Sequence, residues 1–136
     1  MASDARDTFN CLDCLLVDDD PLIRLCVETM LRAAGHRVTG AGDGAEAVVI
    51  LSGLRFDVVI SDIRMPKLDG WELVEHVRRV APETQVILMT TYTTAPEATR
   101  ALRRGACGYL PKPLDAEDLT SHLQQIAQRC TERLRQ

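Results

Sequence analysis

From residue 13 onward, short apolar runs alternate with longer stretches whose apolar residues recur at helical spacing, five of each. Leu15-Leu16-Val17 reads as the core of a first strand. His36 to Gly40 reads as a second, short and less apolar, as expected near a sheet edge. Asp57 to Ser61 is a third. Val86 to Met89 is a fourth, apolar throughout and so expected to be buried on both faces, and Cys107 to Leu110 is a fifth. The intervening segments carry helix punctuation. Asp20-Pro21 opens the first helix, with Asp as N-cap and Pro where no N–H is missed. Leu22, Leu25, Cys26, Thr29 and Met30 follow at helical spacing, and Gly35 stands where a left-handed C′ residue is wanted. Asp43 with Glu46 three residues on predicts a capping box at the start of the second helix, which Gly53 closes. The third helix is expected from Trp71 to about Val80, stopped ahead of Pro82. Thr94-Ala95-Pro96-Glu97 is a further capping box, opening a fourth helix that runs through Arg104 to Gly105. The fifth spans about Ala116 to Arg133. This alternation predicts an α/β fold, a doubly wound five-stranded parallel sheet with helices on both faces.

Composition narrows the class. At 136 residues, 46% apolar and 26% charged, the chain is one globular domain. A net charge of −4 argues against direct nucleic-acid binding. Arg78-Arg79 and Arg103-Arg104 alternate with acidic segments and read as solvated helix faces. No apolar run reaches the length of a membrane span. Residues 1–12 are polar, lack the apolar core of a signal peptide and are expected to be a flexible arm, so the chain is read as cytoplasmic. Five cysteines, an odd number, suit free thiols better than a disulfide framework. The Cys11/Cys14 pair runs into a strand rather than opening a helix, where a low thiol pKa would arise. With His36, His76 and His122 scattered, no zinc ligand set is apparent either.

The chemistry lies just beyond the strands. Asp18-Asp19-Asp20 follows the first, Asp62 the third and Lys112-Pro113 the fifth. In an open parallel sheet, positions past the carboxyl ends of the strands meet in one crevice. Several carboxylates and one ammonium would converge there, an arrangement that calls for a cation. A metal-dependent site handling phosphate is the expectation. Asp20 is accounted for as a helix cap. Asp18 and Asp19, which repel each other, have no such structural purpose.

Leu16-Val17-Asp18-Asp19-Asp20-Pro21, Ile60-Ser61-Asp62-Ile63-Arg64-Met65-Pro66 with Asp69-Gly70, Met89-Thr90 and Gly108-Tyr109-Leu110-Pro111-Lys112-Pro113 together resemble the receiver domain of two-component response regulators. The wording is most similar to the nitrogen-regulator, enhancer-binding type. The resemblance implies a flavodoxin-like (βα)5 fold with strand order 2-1-3-4-5 over residues 13–133. It implies that Asp62 accepts a phosphoryl group from a sensor histidine kinase or phosphotransfer protein. Mg²⁺ would be held by Asp19 and Asp62, by Asp18 through water, and by the backbone carbonyl of Arg64. Lys112 would pair with the acceptor and then with the phosphoryl group, with Pro113 suggesting a cis bond that aims it. Thr90 and Tyr109 would form the switch, repacking the face made by the fourth helix, fifth strand and fifth helix. The chain would be a signalling switch that catalyses its own phosphorylation and slow autodephosphorylation. Arg64 and Tyr92 would limit access of the attacking water.

Arg100, Arg103 and Arg104 on the fourth helix and Asp115, Glu117 and Asp118 on the fifth either pair across a two-fold homodimer or form a solvated face. A phosphorylation-independent scaffold or dimerisation module would predict loss of an acidic residue, the acceptor or the lysine, and all are present. A flavin- or nucleotide-binding protein would want a Gly-rich loop where this chain has three aspartates. The end of the chain, near that of the fifth helix, leaves open a stand-alone regulator or a receiver within a longer protein.

Overall fold

The computed structural model describes residues 11–91 and 95–135. Five strands, β1 (Asp13–Val17), β2 (Arg37–Ala41), β3 (Val58–Asp62), β4 (Gln85–Thr90) and β5 (Gly108–Pro111), alternate with five helices. The helices are α1 (Pro21–Ala33), α2 (Gly44–Gly53), α3 (Gly70–Val80), α4 (Ala95–Arg103) and α5 (Ala116–Arg135). The strands form one parallel sheet in the order β2-β1-β3-β4-β5. Strand bounds lie within two residues of those expected from the apolar runs.

Side chains alternate across each strand, so neighbours go to opposite faces. Leu16, Ile60, Ile87 and Met89 join Val27 and Leu31 of α1 and Leu119, Leu123 and Ile126 of α5 in one apolar layer. Leu15, Val59, Val86 and Leu88 join Leu73, Val74 and Val77 of α3 and Ala101 of α4 in the other. Each fully buried leucine or isoleucine contributes roughly 1.5–3 kcal/mol, which explains why the middles of the central strands are apolar.

The first helix corrects the expected face. Val27 and Leu31 are buried, with Ile23 and Met30 packed beside them, whereas Leu22 (69% exposed), Leu25 (57%), Cys26 and Thr29 point outward. Two apolar stripes compete on this helix. The one that meets β1 and β2 is shifted by one position from the one that starts at Leu22.

The caps also refine the expectation. The Asp20 carboxylate accepts from the N–H groups of Leu22 and Ile23. Asp43 accepts from Glu46 N–H at 2.8 Å, but Glu46 reaches back to Gly42 rather than to Asp43. The reciprocal box is at Asp69 and Glu72, where α3 begins. Thr94 and its expected capping box lie outside the described residues, as do residues 1–10 of the expected arm. Gly35 (φ +91°) and Gly105 (φ +106°) end α1 and α4 in the left-handed region that glycine adopts without strain.

Candidate acidic phosphoryl site at the carboxyl end of the sheet

Register brings the site together. Val17 is paired with Ser61, Asp62 with Met89 and Thr90 with Pro111, so β1, β3, β4 and β5 end nearly in line. The residues after those ends, together with Asp62 and Thr90 at them, share one edge. One carboxylate oxygen from each of Asp18, Asp19 and Asp62 lies within 4.8 Å of the others. Asp18 is fully buried, Asp62 is 9% exposed and Asp19 is exposed.

Lys112 crosses from β5 to this cluster. Its Nζ lies 2.7 Å from Asp18 Oδ2 and 3.0 Å from Asp62 Oδ2, and its side chain is 7% exposed. Its backbone N–H donates to Thr90 O at 2.8 Å. The Lys112–Pro113 peptide is cis, as the Lys-Pro pair suggested. Burial works against the charged ammonium, but the hydrogen bonds it donates to Asp18 and Asp62 outweigh that, and the lysine is held above its ordinary range. Burial pushes Asp62 above the usual carboxylate range, and Lys112 and the N–H of Arg64 only partly offset that.

Asp18 has its polar groups engaged on every side. Its N–H donates to Ala41 O at 3.1 Å, and its Oδ1 accepts the Asp20 N–H at 2.9 Å. Its Oδ2 holds Lys112, and its backbone carbonyl accepts Arg24 Nη1 at 2.6 Å. Asp62 is braced from behind, because a Cβ on Gly70 would sit 2.6 Å from the Asp62 carbonyl oxygen. Only a glycine lets the start of α3 approach that closely, while Gly70 N–H donates to Ile63 O at 2.8 Å.

The three carboxylates outnumber the single ammonium, leaving two negative charges in excess in a half-buried crevice. Hard, closely spaced oxygen donors with that excess fit a divalent cation of the Mg²⁺ class. Both oxygens of Asp18 and both of Asp62 already accept hydrogen bonds, so the exposed Asp19 carboxylate has the greatest freedom to bind it directly. Arg64 exposes its side chain while its N–H donates to Asp62 Oδ1 at 3.3 Å, keeping its peptide next to the acceptor.

Thr90 is buried (4% exposed) where β4 ends, and Tyr109 is half-buried on β5 against the α3/α4 layer. Tyr92 lies outside the described residues. Arg24 is the residue that reading the sequence missed. Its spacing places it off the apolar stripe of α1, and nothing in a helical pattern tells a solvated arginine from one that folds back on the preceding loop.

The Cys11/Cys14 pair does not join the site. Cys14 is fully buried, and burial pushes its thiol up to about 12, the opposite of a reactive cysteine.

The response regulator receiver domain family matches residues 14–124. The chain is 40% identical over 103 residues to the DNA-binding transcriptional regulator NtrC of Escherichia coli, covering 76% of this chain and 22% of that protein. It is 37% identical over 105 residues to the transcriptional regulatory protein GlrR of Escherichia coli, covering 77% of this chain and 24% of that protein. The chain thus spans about a quarter of the length of these curated relatives. Among solved structures, the chemotaxis response regulator CheY4 of Vibrio cholerae superposes with a TM-score of 0.78 at 37% identity, over 85% of this chain and 98% of that one. A Francisella response regulator receiver domain superposes with a TM-score of 0.82 at 28% identity, over 88% of this chain and 98% of that one.

Proposed function

This chain belongs to the response regulator receiver domain family of two-component systems, and from that premise we propose that it is a phosphorylation-controlled switch with Asp62 as its acceptor. One observation carries the reading: a buried lysine ammonium bridges Asp62 and Asp18 beside an exposed third carboxylate, at the carboxyl edge of the sheet. The partner is a sensor histidine kinase or phosphotransfer protein.

The Asp62 carboxylate is its own nucleophile. One oxygen attacks the phosphorus of a phosphohistidine, an O–P bond forms, the N–P bond breaks and the imidazole leaves. Charge is the obstacle, since an anion approaches an anion. Lys112 meets it with a preformed positive charge, available to a phosphoryl oxygen once the acceptor oxygen is esterified. A Mg²⁺ ion held by Asp19, Asp62 and the backbone carbonyl of Arg64, with Asp18 through water, would neutralise the remaining phosphoryl oxygens. The Thr90 hydroxyl at the end of β4 donates to the same group, and Tyr109 follows by turning inward, which repacks the α4-β5-α5 face. Slow autodephosphorylation returns the switch.

The working unit is read as residues 13–133, cytoplasmic, with no direct nucleic-acid contact by this chain, in keeping with its net charge of −4. Among the described residues, no helix is long and apolar enough to cross a membrane. Homodimerisation through α4-β5-α5 has to reckon with contacts inside the chain. Arg100 and Arg104 stack over Trp71 at 4.8 and 5.3 Å, and Arg104 also pairs with Glu75.

The test is intact mass after incubation with acetyl phosphate, with and without Mg²⁺, on the chain and on Asp62→Asn. One added phosphoryl group is expected, absent without the metal and absent in the variant. No adduct, where a control receiver is labelled, would sink the reading in favour of a phosphorylation-independent scaffold.

A further inference from the structure

We propose that Arg24 is a positioning residue that sets the direction of Asp19 by clamping the backbone before it. The proposal rests on the metal reading above and adds a residue to it. Asp19 lies between two peptide groups that are both tied down. The carbonyl of the Asp18–Asp19 peptide accepts Arg24 Nη1 at 2.6 Å, and the N–H of the Asp19–Asp20 peptide donates to Asp18 Oδ1 at 2.9 Å. With the planes on either side held, the Cα–Cβ direction of Asp19 is set by the chain, although its carboxylate is exposed and otherwise able to rotate away.

Arg24 reaches this carbonyl by passing two glycines. Its half-buried side chain crosses from α1 to the end of β2, where Gly40 and Gly42 present no side chains. A Cβ at Gly40 would lie 2.6 Å from Glu28 Oε1 and 3.5 Å from Arg24 Cδ, and one at Gly42 would lie 3.4 Å from Glu46 Oε2 and 3.7 Å from Arg24 Nη1, so the arginine runs within ordinary contact distance of both. With the Glu28 and Glu46 carboxylates at the same two glycines, the guanidinium still ends on a carbonyl rather than on a carboxylate. A guanidinium seeking only charge would sit on the acidic side chains. This one supports the Asp18–Asp19 peptide, the role that outer partners play at metal sites.

Sign separates the clamp from a charge effect. Removing a positive charge near a cation site tightens cation binding by electrostatics alone. Removing a clamp loosens it. Two substitutions are made in the full chain, Arg24→Gln and Arg24→Lys, each with a metal-free and a metal-loaded readout. In EDTA, amide hydrogen exchange at Asp20 is expected to quicken at least tenfold in Arg24→Gln, while β3 and β4 amides keep their wild-type rates. By calorimetry, the Mg²⁺ dissociation constant of Arg24→Gln is expected to rise by about tenfold or more, the range found for lost outer-shell partners. Arg24→Lys, which keeps the charge and one donor, should recover part of both. Unchanged exchange at Asp20, or Mg²⁺ binding as tight as or tighter than wild type in Arg24→Gln, would overturn the clamp. A wild-type chain that takes up no Mg²⁺ would overturn the metal reading instead, and the exchange result would then decide the clamp alone.

Discussion

The Nδ1 atom of His36 accepts the N–H of Leu12 at 3.1 Å, a bond that only an imidazole unprotonated at that nitrogen can make. Burial lowers the pKa of His36, and nearby Asp57 only partly opposes it. The sign follows. The unfolded chain takes up this proton more readily than the folded one, so the contribution of His36 to stability is complete above the ordinary histidine pKa of about 6.5 and is lost as pH falls below it. Urea unfolding at pH 7.5 and pH 5.5, on wild type and His36→Asn, measures it. Wild type should lose about 1 kcal/mol more than the variant over that interval, the worth of one such hydrogen bond. An equal change in both chains would refute it. Residues of this kind explain what reading the sequence could and could not supply. Asp18, Asp19, Asp62 and Lys112 were legible because four charged groups past strand ends have few structural uses. His36 and Arg24 were not, since each acts on a backbone group whose position exists only once β2 has docked on β1.

At the scale of elements, α4 is a short helix whose end is tied to α3 by side chains. It has nine residues and, among those with described side chains, buries only Ala101. Its last turn is tied to α3: Arg100 and Arg104 lie over the Trp71 ring, Arg104 pairs with Glu75 at 3.6 Å, and Arg78 Nη1 donates to Arg104 O at 3.0 Å. Trp71 immediately follows Gly70, which packs on the acceptor's own peptide. Contacts of this type contribute about 0.5–1 kcal/mol each where exposed. They decide the position of a short helix more than the stability of the fold. The double substitution Arg100→Ala/Arg104→Ala should uncover Trp71, the only tryptophan, and make its fluorescence markedly more sensitive to acrylamide with a loss of at most about 2 kcal/mol. Unchanged quenching would show that the arginines do not cover the ring. The element scale is also where the apolar pattern misled. Leu22, Leu25 and Thr29 form as regular a stripe as Ile23, Val27 and Met30. Only the sheet, which meets the second stripe, distinguishes them.

Taken whole, the molecule is two apolar layers divided by the sheet. Ile126 lies in the α1/α5 layer and Leu73 in the α3 layer. Ile126→Val should cost about 1 kcal/mol and Leu73→Ala about 3 kcal/mol. Since the two layers share no side chains, the double variant should show the sum to within about 0.5 kcal/mol in denaturant unfolding. A larger coupling would mean that the sheet transmits packing strain between its faces.

The same division governs where the chain can change length. Leu15 and Leu16 are sequence neighbours that belong to opposite layers, and the same holds for Val59 and Ile60. A single residue inserted within β1 or β3 would exchange the inward and outward sets of everything beyond it. It would also carry Asp18 or Asp62 out of the row that Lys112 reaches. The turn at Ala81–Thr84, closed by its own Thr84 N–H to Ala81 O bond, bears no such phase. An extra residue there lengthens a surface loop and leaves the parity of every strand intact. In this fold, the odd and even positions of two strands are what keep the charge at one end of the sheet and the oil on its faces.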